Sequence, residues 1–218
     1  MLVLLAGAVM AQLSEKIEQA DALNDDDRPQ EAIEVLEDAL SDARSGAERA
    51  EVYWRLARST LNYGDQRKDA GASEAELLPI FEQGEQYGIQ AVEADPNNHL
   101  CYYWQSANVG KWGQTKGVLN SLFRAGDMRD LLTSAIEIEP EHADSYYVLG
   151  QLYAQVPGFI SFGNDDYAVS LARRSIDLFE EQYASGEEED YEYDFFIQLA
   201  SHLIERNWNS RKRSGEQS

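Results

Sequence analysis

Cysteine is nearly absent from this 218-residue chain and basic residues are few beside the acidic ones, and each scarcity excludes a class of protein. Cys101 is the only cysteine, so no disulfide can form within the chain. Lysine and arginine number 18 against 40 aspartates and glutamates, which leaves a formal net charge of −22. Because nucleic-acid and anionic-membrane surfaces recruit basic patches, we expect neither as a partner. The acidity fits either an ordinary solvated surface or adaptation to high salt, in which ions screen the mutual repulsion.

Motifs that carry enzyme chemistry are also missing. The chain has no nucleophile elbow, no phosphate-binding Gly-x-x-x-x-Gly-Lys loop and no His-Glu-x-x-His sequence. His99, His142 and His202 are scattered, and His99-x-Cys101 lacks the second ligand pair of a zinc site. The sequence therefore predicts no catalytic, cofactor-binding or metal-binding residue, no cofactor, and a protein that is not an enzyme.

Strand-like alternation is nearly absent as well, whereas a helical pattern of large and small residues recurs. Three copies place an aromatic residue three and four positions before an apolar or small pair: Tyr53-x-x-Leu56-Ala57, Tyr103-x-x-Ser106-Ala107 and Tyr146-x-x-Leu149-Gly150. Downstream, an alanine stands five residues before a proline in two matching phrases, Ala91 to Pro96 and Ala135 to Pro140. Small residues let two antiparallel helices approach closely, and we expect Ala107 and Gly150 to be such crossing positions. The proline then ends the second helix of each pair.

This spacing of large and small residues resembles that of the tetratricopeptide repeat. Ala20, Ala32, Leu36 and Ala39 follow its spacing near the N-terminus. The resemblance implies an all-α, tetratricopeptide-like solenoid of about four helical hairpins with a C-terminal capping helix. We place the hairpins at residues 13–45, 48–96, 99–140 and 143–184, and the capping helix at 190–208. Such repeats bury a core by stacking on one another, which is typical of scaffolds.

A more specific resemblance runs from about Tyr53 to Phe179. The phrases Trp54-Arg55-Leu56-Ala57-Arg58 and Gly110-Lys111-Trp112-Gly113, in this order, resemble the regulator of microtubule dynamics family of tetratricopeptide proteins. This resemblance implies an all-helical interaction protein without catalytic residues. In its layout the chain is also similar to the periplasmic helical-repeat subunit of tripartite ATP-independent periplasmic (TRAP) transporters, which pairs with a substrate-binding protein.

The two ends are expected to differ from the repeat domain, which we place at residues 12–208. Residues 1–11 are apolar and uncharged, with Val9 and Ala11 at the small-residue positions that precede a signal-peptide cut. The run is too short to cross a bilayer, so no transmembrane segment is expected in the mature chain. We predict a periplasmic or secreted protein, the alternative being a cytoplasmic one whose first helix packs on the repeats. Residues 209–218 form a basic and polar tail.

Binding specificity is expected in the third hairpin, where cations and tryptophans gather in an otherwise acidic chain. Tryptophan and arginine often dominate the energetics of interfaces. We predict a protein or peptide partner bound through the concave face by Trp104, Lys111, Trp112, Lys116 and Arg124. In the structural alternative these aromatics fill the core and the cations pair with nearby carboxylates. A second functional alternative is a ligand-binding or accessory subunit of a periplasmic transport system, with an aromatic-lined pore near Trp104 and Trp112.

Overall fold

The chain folds into helices joined by short connections, grouped in two compact units. The computed structural model describes residues 2–186 and 190–215, with side chains from Ala11 onward, and no strand occurs within these ranges. The first unit extends to Ile138 and the second begins at Glu139. The all-α class and the repeated hairpins predicted from the sequence are confirmed.

The first unit contains three helical hairpins. Its helices are α1 (Leu2–Asp25), α2 (Pro29–Ala39), α3 (Gly46–Asp69), α4 (Glu74–Ala94), α5 (His99–Lys116) and α6 (Val118–Ile138). Each helix packs against the next one along the chain, and α3 also contacts α1 and α5. The first helices of successive hairpins are therefore neighbours, as the tetratricopeptide pattern requires.

Local signals explain where these helices begin and end. Ser45 and Glu48 form a reciprocal capping box at the start of α3. The side chain of Asn98 accepts a hydrogen bond from the backbone N–H of Leu100 at the start of α5. Gly117 alone separates α5 from α6, with a φ of +102° that L-residues with a side chain rarely adopt. The tight α5–α6 joint therefore depends on this glycine.

The signature positions of the first repeat form the core of its hairpin. Ala20, Ala32, Leu36 and Ala39 are fully buried and pack with Val52 and Leu56 of α3. Small residues allow α1 and α2 to approach, and the leucines fill the space between hairpins. The repeat spacing read from the sequence therefore identifies residues that form the core of this hairpin.

The second unit contains the fourth hairpin and the terminal helices. These are α7 (Ala143–Gln155), α8 (Asp165–Ser185), α9 (Asp194–Arg206) and α10 (Ser210–Ser214). Helix α9 packs against α8 and α7, and Phe195 of α9 lies in a core with Ile176, Leu178 and Phe179. The expected C-terminal helix therefore covers the last hairpin.

The two expected crossing positions differ in their surroundings. Gly150 is buried, and a Cβ atom there would lie 3.4 Å from the carbonyl oxygen of Ala168 and from Cβ of Leu171, both in α8. Ala107 is partly buried, and the expectation that it has no room for a larger side chain stays a prediction. Two glycines of α5 also lie close to α6: a Cβ at Gly110 would lie 2.8 Å from Cε of Met128, and a Cβ at Gly113 would lie 3.1 Å from Cα of Ser121.

The termini are more helical than the sequence suggested. Helix α1 runs without a break from Leu2 into the first repeat, while Met1 lies outside the described residues. Removal of residues 1–11 stays a prediction. In the tail, Ser210–Ser214 form the short helix α10, and residues 216–218 lie outside the described residues. In the two described ranges, no helix has the length and apolarity needed to cross a membrane.

His202 makes the stability of the second unit dependent on pH. Its side chain is buried in α9, and Oε2 of Glu205 lies 3.6 Å from Nδ1, beyond hydrogen-bonding distance. Burial lowers the pKa of His202 below its ordinary value of 6.5, although the charges of Glu205 and Asp165 partly oppose this shift. The unfolded chain therefore takes up a proton that the folded state disfavours, so stability is lost as the pH falls through 6.5.

We expect the melting temperature to decrease more steeply between about pH 7.5 and about pH 5.5 in the wild type than in His202→Gln, which cannot titrate. Thermal melts followed by circular dichroism measure this difference. The pH dependence that the carboxylates contribute is the same in both proteins and cancels in the comparison. Parallel pH profiles would show that His202 does not contribute.

Candidate functional site

The cations predicted to bind a partner all meet carboxylates of the same chain. Nζ of Lys111 lies 2.5 Å from Oδ2 of Asp65 in α3, and Nζ of Lys116 lies 3.2 Å from Oε1 of Glu74 in α4. A terminal guanidinium nitrogen of Arg124 in α6 lies 2.5 Å from Oε1 of Glu85 in α4. These pairs connect the second hairpin to the third.

The two tryptophans of the predicted site also contact the second hairpin. The indole N–H of Trp112 donates a 2.9 Å hydrogen bond to Oε1 of Glu82, and Arg124 stacks over the same ring at 5.7 Å from its centroid. Trp104 packs against a buried cluster that contains Trp54 and Cys101. Burial raises the pKa of the Cys101 thiol to about 12, so this cysteine is a small core residue, as expected, rather than a reactive group.

We call the contacts of Lys116, Trp112 and Arg124 with the acidic side of α4 the hairpin seam. This geometry corresponds to the structural alternative, in which cations are neutralised by nearby carboxylates. Such partly exposed pairs contribute little stability individually, but together they align α4 with α5 and α6. Partner binding by Trp104, Lys111, Trp112, Lys116 and Arg124 stays a prediction, and a partner would have to compete with these internal carboxylates.

A second polar surface, which the sequence reasoning did not single out, lies where α1 meets α3. Nε of Arg55 lies 3.0 Å from Oδ1 of Asp21, and a terminal nitrogen of Arg58 lies 2.5 Å from the same oxygen. Arg55 also pairs with Glu51, one turn earlier in α3. Two guanidinium groups from successive turns of α3 thus converge on a single carboxylate of α1.

Trp54 lies beneath this ion-pair network. The guanidinium carbons of Arg55 and Arg58 are 4.0 Å and 5.4 Å from the centroid of its ring. The ring is buried, and its N–H has no hydrogen-bond acceptor among the described residues. The ring therefore makes cation–π contacts with both guanidinium groups, a packing that is typical of arginine.

The same surface continues along α3 through side-chain amides. Nδ2 of Asn24 donates to the hydroxyl of Ser59 at 2.6 Å, and Nδ2 of Asn62 donates to Oδ1 of Asn24 at 3.3 Å. Together with Asp21, Glu51, Trp54, Arg55 and Arg58, these residues form what we call the α3 face. The sequence feature that could have indicated this face is the phrase Trp54 to Arg58, in which two arginines three residues apart follow a tryptophan.

The residues that the structure describes provide no preformed set of metal ligands. No group of three or more His, Cys, Asp or Glu side chains is placed to hold a metal ion within those residues. The α3 face consists instead of paired charges, amides and one indole, which are groups that form hydrogen bonds and stacking contacts.

A known family covers the three hairpins of the first unit from residue 16 onward, together with α7 and the whole α3 face. Residues 16–158 match the family model described as Regulator of microtubule dynamics protein 1-3, which is about two thirds of the chain. The chain belongs to this family. The resemblance read from the sequence is thereby confirmed, and the α3 face lies inside the matched segment.

Members of the family from animals match between about half and two thirds of the chain. Regulator of microtubule dynamics protein 1 of Bos taurus is 26% identical over 145 residues, which are 66% of this chain and 43% of that protein. Regulator of microtubule dynamics protein 2 of Mus musculus is 30% identical over 105 residues, which are 48% of this chain and 25% of that protein. The chain spans less than half the length of the curated relatives it matches.

Solved structures share the fold at much lower sequence identity. TTC0263, a thermophilic TPR protein in Thermus thermophilus, superposes with a TM-score of 0.59 at 16% identity, covering 88% of this chain and 99% of that one. MamA of Desulfovibrio magneticus, in a structure from residue 41 to the end, superposes with a TM-score of 0.57 at 14% identity. The match covers 90% of this chain and 86% of that one. At these identities the likeness concerns the fold alone. It supports the tetratricopeptide architecture.

Proposed function

We propose that this protein is a non-enzymatic helical-repeat scaffold that binds a protein or peptide partner through the first helices of its hairpins. Those helices line the concave side in stacks of this type, which use extended surfaces for binding. The observation that carries the proposal is the α3 face, in which Arg55 and Arg58 are held over Trp54 by Asp21.

The α3 face has properties that suit a peptide rather than a reaction. Its arginines are oriented in advance by an aromatic ring and an ion pair, so binding costs little side-chain entropy. Its amides can exchange their mutual hydrogen bonds for those of a peptide backbone. Lys111 extends this surface toward α5, because its ammonium group reaches Asp65 of α3. Lys111 therefore contacts the same helix that carries most of the α3 face.

The alternative of a transport subunit with an aromatic pore gains less support. Trp104 packs in a buried cluster and Trp112 donates its N–H to Glu82. A pocket of about 110 Å³ and an open, solvent-facing depression at Trp208 lie in the second unit, and neither is lined by these two rings. We therefore base the functional proposal on the surface of the first unit.

The test is capture of a partner from extracts of the native organism by wild-type protein and by the variant Lys111→Glu/Lys116→Glu. We expect the variant to lose the captured partner, because it reverses two charges where a partner would contact α5. Mass spectrometry of the captured material measures the loss, and far-ultraviolet circular dichroism checks that the variant stays helical.

The matched control is Arg49→Glu/Lys68→Glu, which changes the net charge equally at two exposed positions of α3. Capture by this control but not by the Lys111 and Lys116 variant would support the proposal. Equal capture by all three proteins would mean that Lys111 and Lys116 serve only their internal ion pairs. The partner-binding role of the third hairpin would then be rejected.

A further inference from the structure

Helix α9 has an apolar side that does not pack on the fourth hairpin. The side that packs on α7 and α8 buries Phe195, Gln198 and His202. Two isoleucines of the other side remain open to solvent, with Ile197 60% and Ile204 77% exposed. Tyr193, directly before the helix, is 69% exposed. We call this side the outer α9 face.

The outer α9 face has the spacing of a seam between two helices. Tyr193, Ile197, Ala200 and Ile204 follow one another at intervals of four, three and four residues, so they share one side of the helix. Terminal elements of a repeat stack normally have a polar outer face, which keeps the protein soluble. An apolar stripe at this place therefore indicates that a further helix packs on it.

The two ends of the outer α9 face have opposite charges. Three exposed carboxylates lie at its start, those of Asp190, Glu192 and Asp194. Three exposed cations lie beyond its end, those of Arg211, Lys212 and Arg213 in α10. Such a face repels a parallel copy of itself and is complementary to an antiparallel one, since each acidic end then meets a basic end. The occupant that matches both the spacing and the charges is a second copy of α9.

A two-fold axis between Ala200 and Ser201 would bring the apolar side chains of two copies together. Ile197 of each copy would lie opposite Ile204 of the other, and the small Ala200 would let the helices approach closely at the axis. Tyr193 would reach the other copy near Trp208, which borders an open depression beside the cations of α10. The same register therefore satisfies the isoleucines, the tyrosine and the charged ends.

We propose that this protein forms a homodimer through antiparallel packing of the outer α9 faces of two copies. Helix α9 lies outside residues 16–158, the segment that the family model matches. The dimer does not rest on the α3 face, so failure of the partner-capture experiment leaves it untouched.

The size and charge of the contact imply weak association. Helix α9 has 13 residues and is about 20 Å long, whereas specific interfaces bury about 1,200–2,000 Å² in total. The net charge of −22 on each copy opposes association, although charges separated by more than about 8 Å are largely screened at about 0.15 M salt. We therefore expect a dissociation constant on the order of 10 μM.

Sedimentation equilibrium of the full chain at about 0.15 M salt tests the association. We expect the mean mass to rise from monomer toward dimer as the concentration increases from about 1 μM to about 500 μM. Ile197→Ser/Ile204→Ser is expected to weaken association by about tenfold or more, because both apolar side chains of the seam are lost. Far-ultraviolet circular dichroism checks that this variant stays helical.

The matched control is Val118→Ser/Leu119→Ser, which removes two apolar side chains that are 77% and 73% exposed at the start of α6. We expect it to associate like the wild type. A wild type that stays monomeric at every concentration, or equal weakening in the two variants, would overturn the proposal.

Single cysteines then report the direction of the two helices. In the antiparallel pair only residues near the two-fold axis meet their own copies, so a short bismaleimide should cross-link Ala200→Cys into dimers but not Tyr193→Cys. The native Cys101 is buried and does not compete for the reagent. Cross-linking at both positions, or at neither, would overturn the antiparallel dimer.

Discussion

Leucine in place of Gly88 is expected to lower the free energy of unfolding by about 3 kcal/mol. Gly88 lies on α4 where this helix crosses α5 of the next hairpin. A Cβ atom at position 88 would lie 2.6 Å from Cβ and 2.7 Å from Cα of Gln105. Because Cα belongs to the backbone, no change of side-chain rotamer can relieve the clash. The two helices would have to separate, and the buried contacts between the second and third hairpins would be weakened.

Gly126→Leu is the matched control for this prediction. Gly126 lies in the interior of α6, and a Cβ atom there would meet nothing within 4 Å. Since glycine is a poor helix former, we expect this change to leave stability unchanged or to raise it by up to about 1 kcal/mol. Urea denaturation followed by circular dichroism measures both variants. A Gly88 variant as stable as the Gly126 variant would show that α4 and α5 are not closely packed.

Reversal of charge at Asp21 is expected to be the most disruptive electrostatic change, at about 2 kcal/mol for Asp21→Lys. The substitution would bring a third cation to Arg55 and Arg58, whose side chains are only 14% and 19% exposed. Removal of one partner from a fully buried pair costs about 3–5 kcal/mol, and we expect less here because Asp21 itself is 31% exposed. The contact between α1 and α3 should weaken as a result.

Glu31→Lys provides the control, because it makes the same change of charge beside a single arginine. The side chains of Arg28 and Glu31 are 50% and 54% exposed, so water screens their interaction. We expect the urea midpoint of Glu31→Lys to stay near that of the wild type, while Asp21→Lys unfolds at a clearly lower urea concentration. Similar midpoints for the two variants would indicate that the α3 face does not hold α1 in place.

Local information in the sequence was sufficient for the hairpins and most of their core. Ala20, Ala32, Leu36 and Ala39 identified the first repeat because the tetratricopeptide register depends on side-chain size at fixed spacing, and all four are buried. The repeat spacing did not indicate the close approach of Gly110 and Gly113 to α6, which precedes the single-residue joint at Gly117.

The candidate sites depended more strongly on contacts between distant segments. Lys111, Lys116 and Arg124 stand out by composition, but composition contains no information about Asp65, Glu74 and Glu85, which lie 39 to 46 residues earlier and neutralise them. The α3 face was overlooked because Asp21 precedes Arg55 by 34 residues. Charge partners at such separations are not encoded in any local spacing.

The sequence by itself determined the all-helical class, the family and the register of the repeats, because these follow from helical periodicity and residue size within one or two turns. Only the tertiary structure decided which charges are paired and that Trp54 lies beneath two arginines. Stacking of hairpins brings together residues from different helices. The strength of an ion pair or a cavity contact then depends on distance and burial, which exist only once the helices have packed.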